Sequence, residues 1–266
     1  EVAIPAGWNE PRILLHFQAC DYDATVWVNG VEVARHRGGF TPFSAEIGHL
    51  VKAGETATIV VRARDDNRTA KPSGKQSNGY ANAGCHYTRT TGIWQTVWLE
   101  PVPATSLQRP RITPMLGAAR FRVEAPLSGP SAGLRLVAVL SDDRGEVCRA
   151  EAPADTDFSP ALDLPVPADR LRLWEPGNAF LYDIALELVT PDGTVVDAAR
   201  SYAGMRAVTL DGFAFKINGK SVFQRQVLDQ GYYPDGLMTA PSDEALVQDI
   251  RLSMEAGFNS ARLHQK

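Results

Sequence analysis

Apolar and polar residues alternate with a period of two through most of the chain, a pattern that predicts half-buried strands. Ile13, Leu15, Phe17 and Ala19 alternate with Leu14, His16, Gln18 and Cys20 and define one such strand. After Asp21-Tyr22-Asp23, the run from Ala24 to Val28 enters Asn29-Gly30 and leaves through Val31-Glu32-Val33. Asn-Gly between apolar-rich runs predicts a hairpin with a two-residue turn. Further strands are predicted over 56–63, marked by Ala57, Ile59 and Val61, and over 93–99, where Trp94 and Trp98 would share one face with core spacing. Between them, residues 65–91 are rich in Gly, Asn, Ser, Lys and Arg and have no helical period. A loop of that length in a compact domain is either functional or disordered. Short strands joined by turns imply an antiparallel sandwich.

Val102-Pro103-Ala104 and Arg109-Pro110 then interrupt the pattern and mark a boundary, because proline cannot continue a central strand. Short strands follow over 120–125, 134–140, 146–150, 161–166, 181–189 and 195–202, separated by turn signals such as Asp192-Gly193, in the outline of an immunoglobulin-like sandwich. Phe213 to Ile217 leads into Asn218-Gly219 and out through 220–223, a second Asn-Gly hairpin that introduces a third segment. Helical spacing occurs first at Leu246, Val247, Ile250 and Met254, which share one face. Pro241, Ser242, Asp243 and Glu244 suit the first turn of that helix and Gly257 its end. Residues 258–264 read as a strand, so the order from Ser221 onward is strand, long loop, helix, strand: one βαβ unit.

Composition narrows the function classes. With 266 residues the chain exceeds what one core serves, and 44% hydrophobic with 22% charged residues is the balance of a globular protein. The formal charge of -4, with no basic stripe, argues against a nucleic-acid partner. No apolar run is long enough to span a membrane, and Glu1-Val2-Ala3-Ile4-Pro5 lacks the order of a signal peptide. Cys20, Cys85 and Cys148 lack the spacing of a zinc or redox motif and read as reduced, mostly buried residues, which leaves the compartment open.

Three ordered motifs carry a family resemblance: Val26-Trp27-Val28-Asn29-Gly30, His36-Arg37-Gly38-Gly39-Phe40-Thr41-Pro42-Phe43, and Thr91-Gly92-Ile93-Trp94-Gln95-Thr96-Val97-Trp98-Leu99-Glu100. Together they resemble the sugar-binding jelly roll of glycoside hydrolase family 2. Leu173-Trp174-Glu175-Pro176 is similar to that family's Leu-Trp-x-Pro turn, and Gly257-Phe258-Asn259-Ser260-Ala261-Arg262 to the second strand of its (β/α)8 barrel. Leu228-Asp229-Gln230-Gly231-Tyr232-Tyr233-Pro234-Asp235-Gly236, with the 239–246 stretch after it, resembles a β-galactosidase-like branch. The resemblance implies a mainly β chain in three parts: a jelly-roll-like sugar-binding domain over 1–103, an immunoglobulin-like β-sandwich over 104–207, and a truncated TIM-barrel start over 208–266. The family's jelly roll has more strands before the one at 13–19, so the first domain is expected to be incomplete, and either marginal or completed by another chain.

Retaining hydrolysis needs two carboxylates about 5 Å apart, a nucleophile and an acid/base. In the family these are glutamates at the ends of the fourth and seventh barrel strands, the former in an Asn-Glu pair. The Asn-Glu pair here, Asn9-Glu10, precedes the first sandwich strand and reads as a coincidence. Neither catalytic glutamate is expected within the chain, so the chain alone should be inactive. Barrel sites lie at the C-terminal ends of strands, which makes Asp229, Gln230, Arg262 and His264 the candidate substrate-binding residues. Arg262 matches the family arginine that supports the nucleophile; His264 stands one residue earlier than in many members. The expected activity is hydrolysis of β-galactoside-like substrates, with β-glucuronides or β-mannosides behind. The implied partner is a carbohydrate, a homo-oligomer is left open, and no residue is assigned to a metal or cofactor. The competing expectation is a non-enzymatic carbohydrate-binding or adhesion module that uses Lys75, Gln76, Tyr80 and Tyr87 of the long loop, although a lone βαβ unit has no place in an adhesin.

Overall fold

A computed structural model describes residues 1–265. The chain is mainly β and divides into two compact units, Glu1–Pro101 together with residues from Gln224 onward, and Val102–Phe223. No closed barrel forms among the described residues, and no helix there is long and apolar enough to cross a membrane.

In the first unit, Arg12–Phe17 lies between Val97–Val102 and Phe43–Glu46, while Asp23–Val28 lies between Val31–Arg37 and Ile59–Arg64. Alternation puts Ile13, Leu15 and Phe17 of one sheet and Val26 and Val28 of the other into a single cluster with Ile4, Ala45, Ile47 and Ala57. The first Asn-Gly turn forms as expected: Val28 pairs with Val31 around Asn29 (φ 49°) and Gly30 (φ 82°). Asn29 fixes the turn further, since its amide nitrogen donates to Leu50 O and its amide oxygen accepts from Thr58 N, both at 2.9 Å. Within the His36–Phe43 motif, Gly39 abuts the Asp21 carboxylate so closely that a Cβ there would lie 2.5 Å from Oδ1.

The strand expected over 93–99 is interrupted. Gly92–Ile93 pairs with Cys20–Asp21, and the next strand is Val97–Val102, with single bonds from Trp94 N to Ala19 O at 3.5 Å and from Gln18 N to Thr96 O at 3.0 Å between them. The break changes the phase of the alternation, so the two tryptophans do not share a core face. Trp94 is half-buried and donates its indole N–H to Gly39 O at 2.7 Å. Trp98 is 40% exposed and stacks on His16 with ring centroids 4.7 Å apart.

The second unit has a three-stranded sheet, Arg111–Met115, Arg120–Glu124 and Ala161–Pro165, and a four-stranded one in the order Gly145–Pro153, Arg135–Asp142, Tyr182–Val189, Val195–Ala203. Phe121, Val123, Leu162 and Leu164 from the first pack with Leu136, Ala138, Leu140, Ile184, Leu186 and Leu188 from the second. Tyr182 is fully buried, so its hydroxyl must be satisfied internally. It donates to Arg170 O at 2.7 Å and accepts from Arg172 N at 2.8 Å. The second Asn-Gly hairpin lies in this unit, where Ile217 pairs with Lys220 and the Asn218 amide donates to Trp174 O at 3.0 Å. Trp174 is half-buried, with the Arg206 guanidinium 4.5 Å from its ring centroid.

Gln226–Asp229 and Ser260–Leu263 pair in parallel, and the helix Asp243–Glu255 lies between them in the chain. The helix begins as its sequence predicts, with Ser242 Oγ accepting from Ala245 N at 3.3 Å and Asp243 and Glu244 in the first turn. The strand boundary differs from expectation. Hairpin pairing ends at Ser221, and the parallel strand starts at Gln226 rather than continuing from 220–223. Its register is set by Asn259, whose N donates to Arg225 O at 3.1 Å and whose Oδ1 accepts from Arg225 N at 2.9 Å.

Candidate functional site

A parallel pair of strands joined through a helix brings the C-terminal ends of both strands side by side. Asp229 ends the first strand opposite Leu263, and Leu228 lies opposite Arg262. His264 extends the pairing by donating its backbone N–H to Asp229 O at 2.9 Å. The four residues singled out in the sequence, Asp229, Gln230, Arg262 and His264, are therefore at one edge of the first unit. Their states differ. Asp229 Oδ1 accepts from Gly231 N at 2.7 Å, so this carboxylate turns the chain out of the strand. Gln230 follows it, half-buried. The Arg262 side chain is exposed, and no carboxylate pairs with it among the described residues. His264 is half-buried, its Nδ1 has no hydrogen-bond partner among the described residues, and burial, then the charges of Arg262 and Lys75, hold its imidazole below the ordinary histidine range.

The long loop 65–91 is ordered by its own polar contacts. Asp65 and Lys71 form an ion pair at 2.5 Å with side chains only 6% and 8% exposed. Asp66 accepts from Arg68 N at 2.9 Å and from the Thr69 hydroxyl at 2.6 Å, closing a tight turn. Gln76 is buried and bridges two segments: its amide nitrogen donates to Asp21 Oδ2 and its amide oxygen accepts from Thr90 N, both at 2.8 Å. Burial is the main reason the Asp21 carboxyl titrates above its ordinary range, with the Gln76 hydrogen bond opposing it.

This loop packs against the chain around the strand ends. Tyr87 stacks face to face on Tyr232, with ring centroids 4.0 Å apart and planes 8° apart. A Cβ on Gly74 would lie 2.8 Å from Gln265 O, and Gly74 adopts φ +63°, so the close approach and the backbone conformation both require glycine. The Thr239 hydroxyl donates to Trp94 O at 2.7 Å. Lys75 sits between these anchors. Of the loop residues considered for recognition, Gln76 is buried structure, Tyr80 is 98% exposed, and Tyr87 is stacked on Tyr232. The pairing of Tyr87 with Tyr232 had no signal in the sequence, because nothing in either segment specifies a partner 145 positions away. Among the described residues, no three His, Cys, Asp or Glu side chains are placed to hold a metal ion.

Residues 1–100 match the family described as glycosyl hydrolases family 2, sugar binding domain, and residues 105–206 match glycosyl hydrolases family 2. A β-glucuronidase of Paenibacillus borealis is 28% identical over 238 residues, covering 83% of this chain and 37% of that protein. A β-galactosidase of Thermoanaerobacter pseudethanolicus is 24% identical over 217 residues, covering 79% of this chain and 28% of that protein. The solved structure of a β-glucuronidase from Ruminococcus gnavus in complex with D-glucuronic acid superposes with a TM-score of 0.80 at 22% identity, over 98% of this chain and 45% of that one, which is a likeness of fold. The chain thus spans less than half the length of these relatives.

Proposed function

The chain belongs to glycoside hydrolase family 2, and from that premise we propose that it forms the non-catalytic front and the first barrel unit of a retaining β-glycosidase. In this reading residues 1–103 are the jelly-roll-like domain, 104–207 the immunoglobulin-like sandwich, and 208–266 the start of the barrel. The observation that carries it is the parallel pairing of Gln226–Asp229 with Ser260–Leu263 across one helix. Barrel enzymes assemble their sites at the C-terminal ends of such strands, and that is where Asp229, Gln230, Arg262 and His264 lie. Arg262, exposed and without a carboxylate partner among the described residues, suits the support of a nucleophilic carboxylate contributed by a later strand. His264, whose Nδ1 has no hydrogen-bond partner among the described residues and whose pKa is held down by burial, suits a hydrogen bond to a sugar hydroxyl.

The substrates are β-hexopyranosides. The Leu228–Gly236 sequence favours galactosides, while the match to the Paenibacillus β-glucuronidase supports glucuronides as the second reading. The 266 residues alone are expected to be inactive, since general acid–base assistance, worth roughly 10²–10⁴ in rate, needs carboxylates placed on both sides of the glycosidic bond. No observation favours the adhesion-module alternative, because the loop it would use is engaged within the first unit through Gln76 and Tyr87. The test is hydrolysis of nitrophenyl β-galactoside and β-glucuronide by a polypeptide that carries this chain and the remaining barrel strands. Activity is expected there and not in the chain alone, with Arg262→Ala lowering kcat/KM by roughly 100-fold at an unchanged melting temperature. Turnover by the chain alone, or full activity of the Arg262 variant, would overturn the reading.

A further inference from the structure

Asp21 ends a short strand and is 1% exposed, yet among the described residues its carboxyl accepts one hydrogen bond, from a neutral group: the Gln76 amide nitrogen reaches Oδ2 at 2.8 Å. Oδ1 has no hydrogen-bond partner among the described residues and lies against the backbone of Gly39, where a Cβ would come within 2.5 Å. Opposite charge does not compensate it. Lys71 is covered and already paired with Asp65 at 2.5 Å, and the two act on Asp21 in opposite directions. On its own strand the neighbouring titratable group is the Cys20 thiol, and from the chain after Gln226–Asp229 it is the Tyr232 hydroxyl; burial raises both, so both stay neutral through the physiological range. Gly92–Ile93, which pairs with Cys20–Asp21, and the Gly38-Gly39 turn bring no charged side chain. A carboxyl in such surroundings is held at lower cost with its proton than without it, and a proton on Oδ1 leaves Oδ2 able to accept from Gln76.

Gln76 also accepts from Thr90 N at 2.8 Å, so one buried amide joins Asp21 to both limbs of the 65–91 loop. Between those limbs Ser77 N donates to Tyr87 O at 2.7 Å and Tyr87 N to Lys75 O at 2.8 Å, and the Tyr87 ring lies on Tyr232, just beyond Gln230. The contacts thus run from a buried carboxyl to the end of the first parallel strand. We propose that Asp21, Gln76 and Thr90 form a proton-dependent clasp, which fastens the 65–91 loop to the first unit while Asp21 is protonated and loosens when it ionises. Opening admits water to the carboxylate, so the open loop has the ordinary aspartate affinity for the proton and the closed loop a higher one. The clasp is therefore strongest below the open-state pKa, weakens as pH rises, and is weakest once pH has passed the raised closed-state value. It holds or releases the loop whatever reaction the neighbouring strand ends serve.

Amide hydrogen exchange of the full chain between about pH 4 and about pH 8, corrected for the intrinsic pH dependence of exchange, reads the clasp at the Ser77, Tyr87 and Thr90 amides against those of the Arg12–Phe17 strand. In the wild type the three loop amides are expected to lose at least roughly tenfold in protection across that range, the equivalent of one pKa unit. The loss is expected to level off at the pH where the carbon-13 signal of the Asp21 carboxyl titrates. Asp21→Asn keeps an oxygen for Gln76 and cannot ionise, so it is expected to retain the acid level of protection throughout; Gln76→Leu is expected to show low protection throughout. Loop protection that does not change with pH in the wild type, the same pH dependence in Asp21→Asn, or undiminished protection in Gln76→Leu would overturn the proposal. If either variant fails to fold, the wild-type titration decides: an Asp21 carboxyl that titrates in the ordinary aspartate range, or away from the change in loop protection, overturns the clasp, and coincidence of the two above that range supports it.

Discussion

Asp142 receives two guanidinium contacts from Arg170 and a backbone N–H from Arg144, and its side chain is fully covered. Arg170 is the main cause of a carboxyl pKa lowered from 3.8 to about 2. A carboxyl depressed in the folded state contributes stability that is present above its unfolded pKa and is lost as pH falls through the folded one. The Asp142 contribution should therefore decline between about pH 4 and pH 2. In a series of thermal melts across that window, the Asp142→Asn variant is expected to lose less melting temperature than the wild type while starting lower at neutral pH. Parallel curves would mean that the pair does not contribute. The linkage has the opposite sign at Asp21, whose carboxyl is raised mainly by burial: its protonated form suits the fold, and this contribution is present at low pH and lost as pH rises through the raised value. Asp142 sits beside a turn and could be suspected from the sequence, but Arg170 as its partner could not, because 28 positions separate them and Arg144 and Arg172 are equally arginine.

At the scale of elements, the helix Asp243–Glu255 shows how local signals specify structure without packing. None of its residues is buried, and Leu246, Val247, Ile250 and Met254 are 43–65% exposed. With little apolar burial among the described residues, its stability leans on the first turn, where Ser242 caps and two carboxylates face the positive end of the helix dipole. Ser242→Ala should cost about 1 kcal/mol, read as roughly fivefold faster amide hydrogen exchange across the helix; unchanged exchange would show that other contacts hold it. Both Asn-Gly hairpins, the acidic first turn of this helix and the buried alternation at Ile13, Leu15 and Phe17 were legible because each depends on residues a few positions apart. The interruption between Ile93 and Val97 was not, since it goes with the Trp94 indole N–H reaching Gly39 O, a contact that no local pattern encodes. Nor was the start of the parallel strand at Gln226, which Asn259 sets from across the helix.

For the whole molecule, the candidate site was legible only in part. Strand alternation and the family resemblance placed Asp229, Gln230, Arg262 and His264 at strand ends, and those positions are the C-terminal end of the parallel pair. Folding supplied what sequence could not: the Tyr87 and Tyr232 stack and the glycine at position 74 against Gln265. A fold hosts many chemistries, so family membership alone does not establish the reaction. The stereochemistry of the product does so more directly. A retaining mechanism passes through a covalent glycosyl–enzyme intermediate, and two inversions leave the β configuration at the anomeric carbon. The decisive measurement is proton NMR of the anomeric signals in the first minutes after the polypeptide carrying this chain and its complete barrel meets a nitrophenyl β-hexopyranoside. The β-anomer is expected to form first, with the α-anomer growing only as mutarotation proceeds; initial release of the α-anomer, or no hydrolysis of galactoside or glucuronide, would contradict the account.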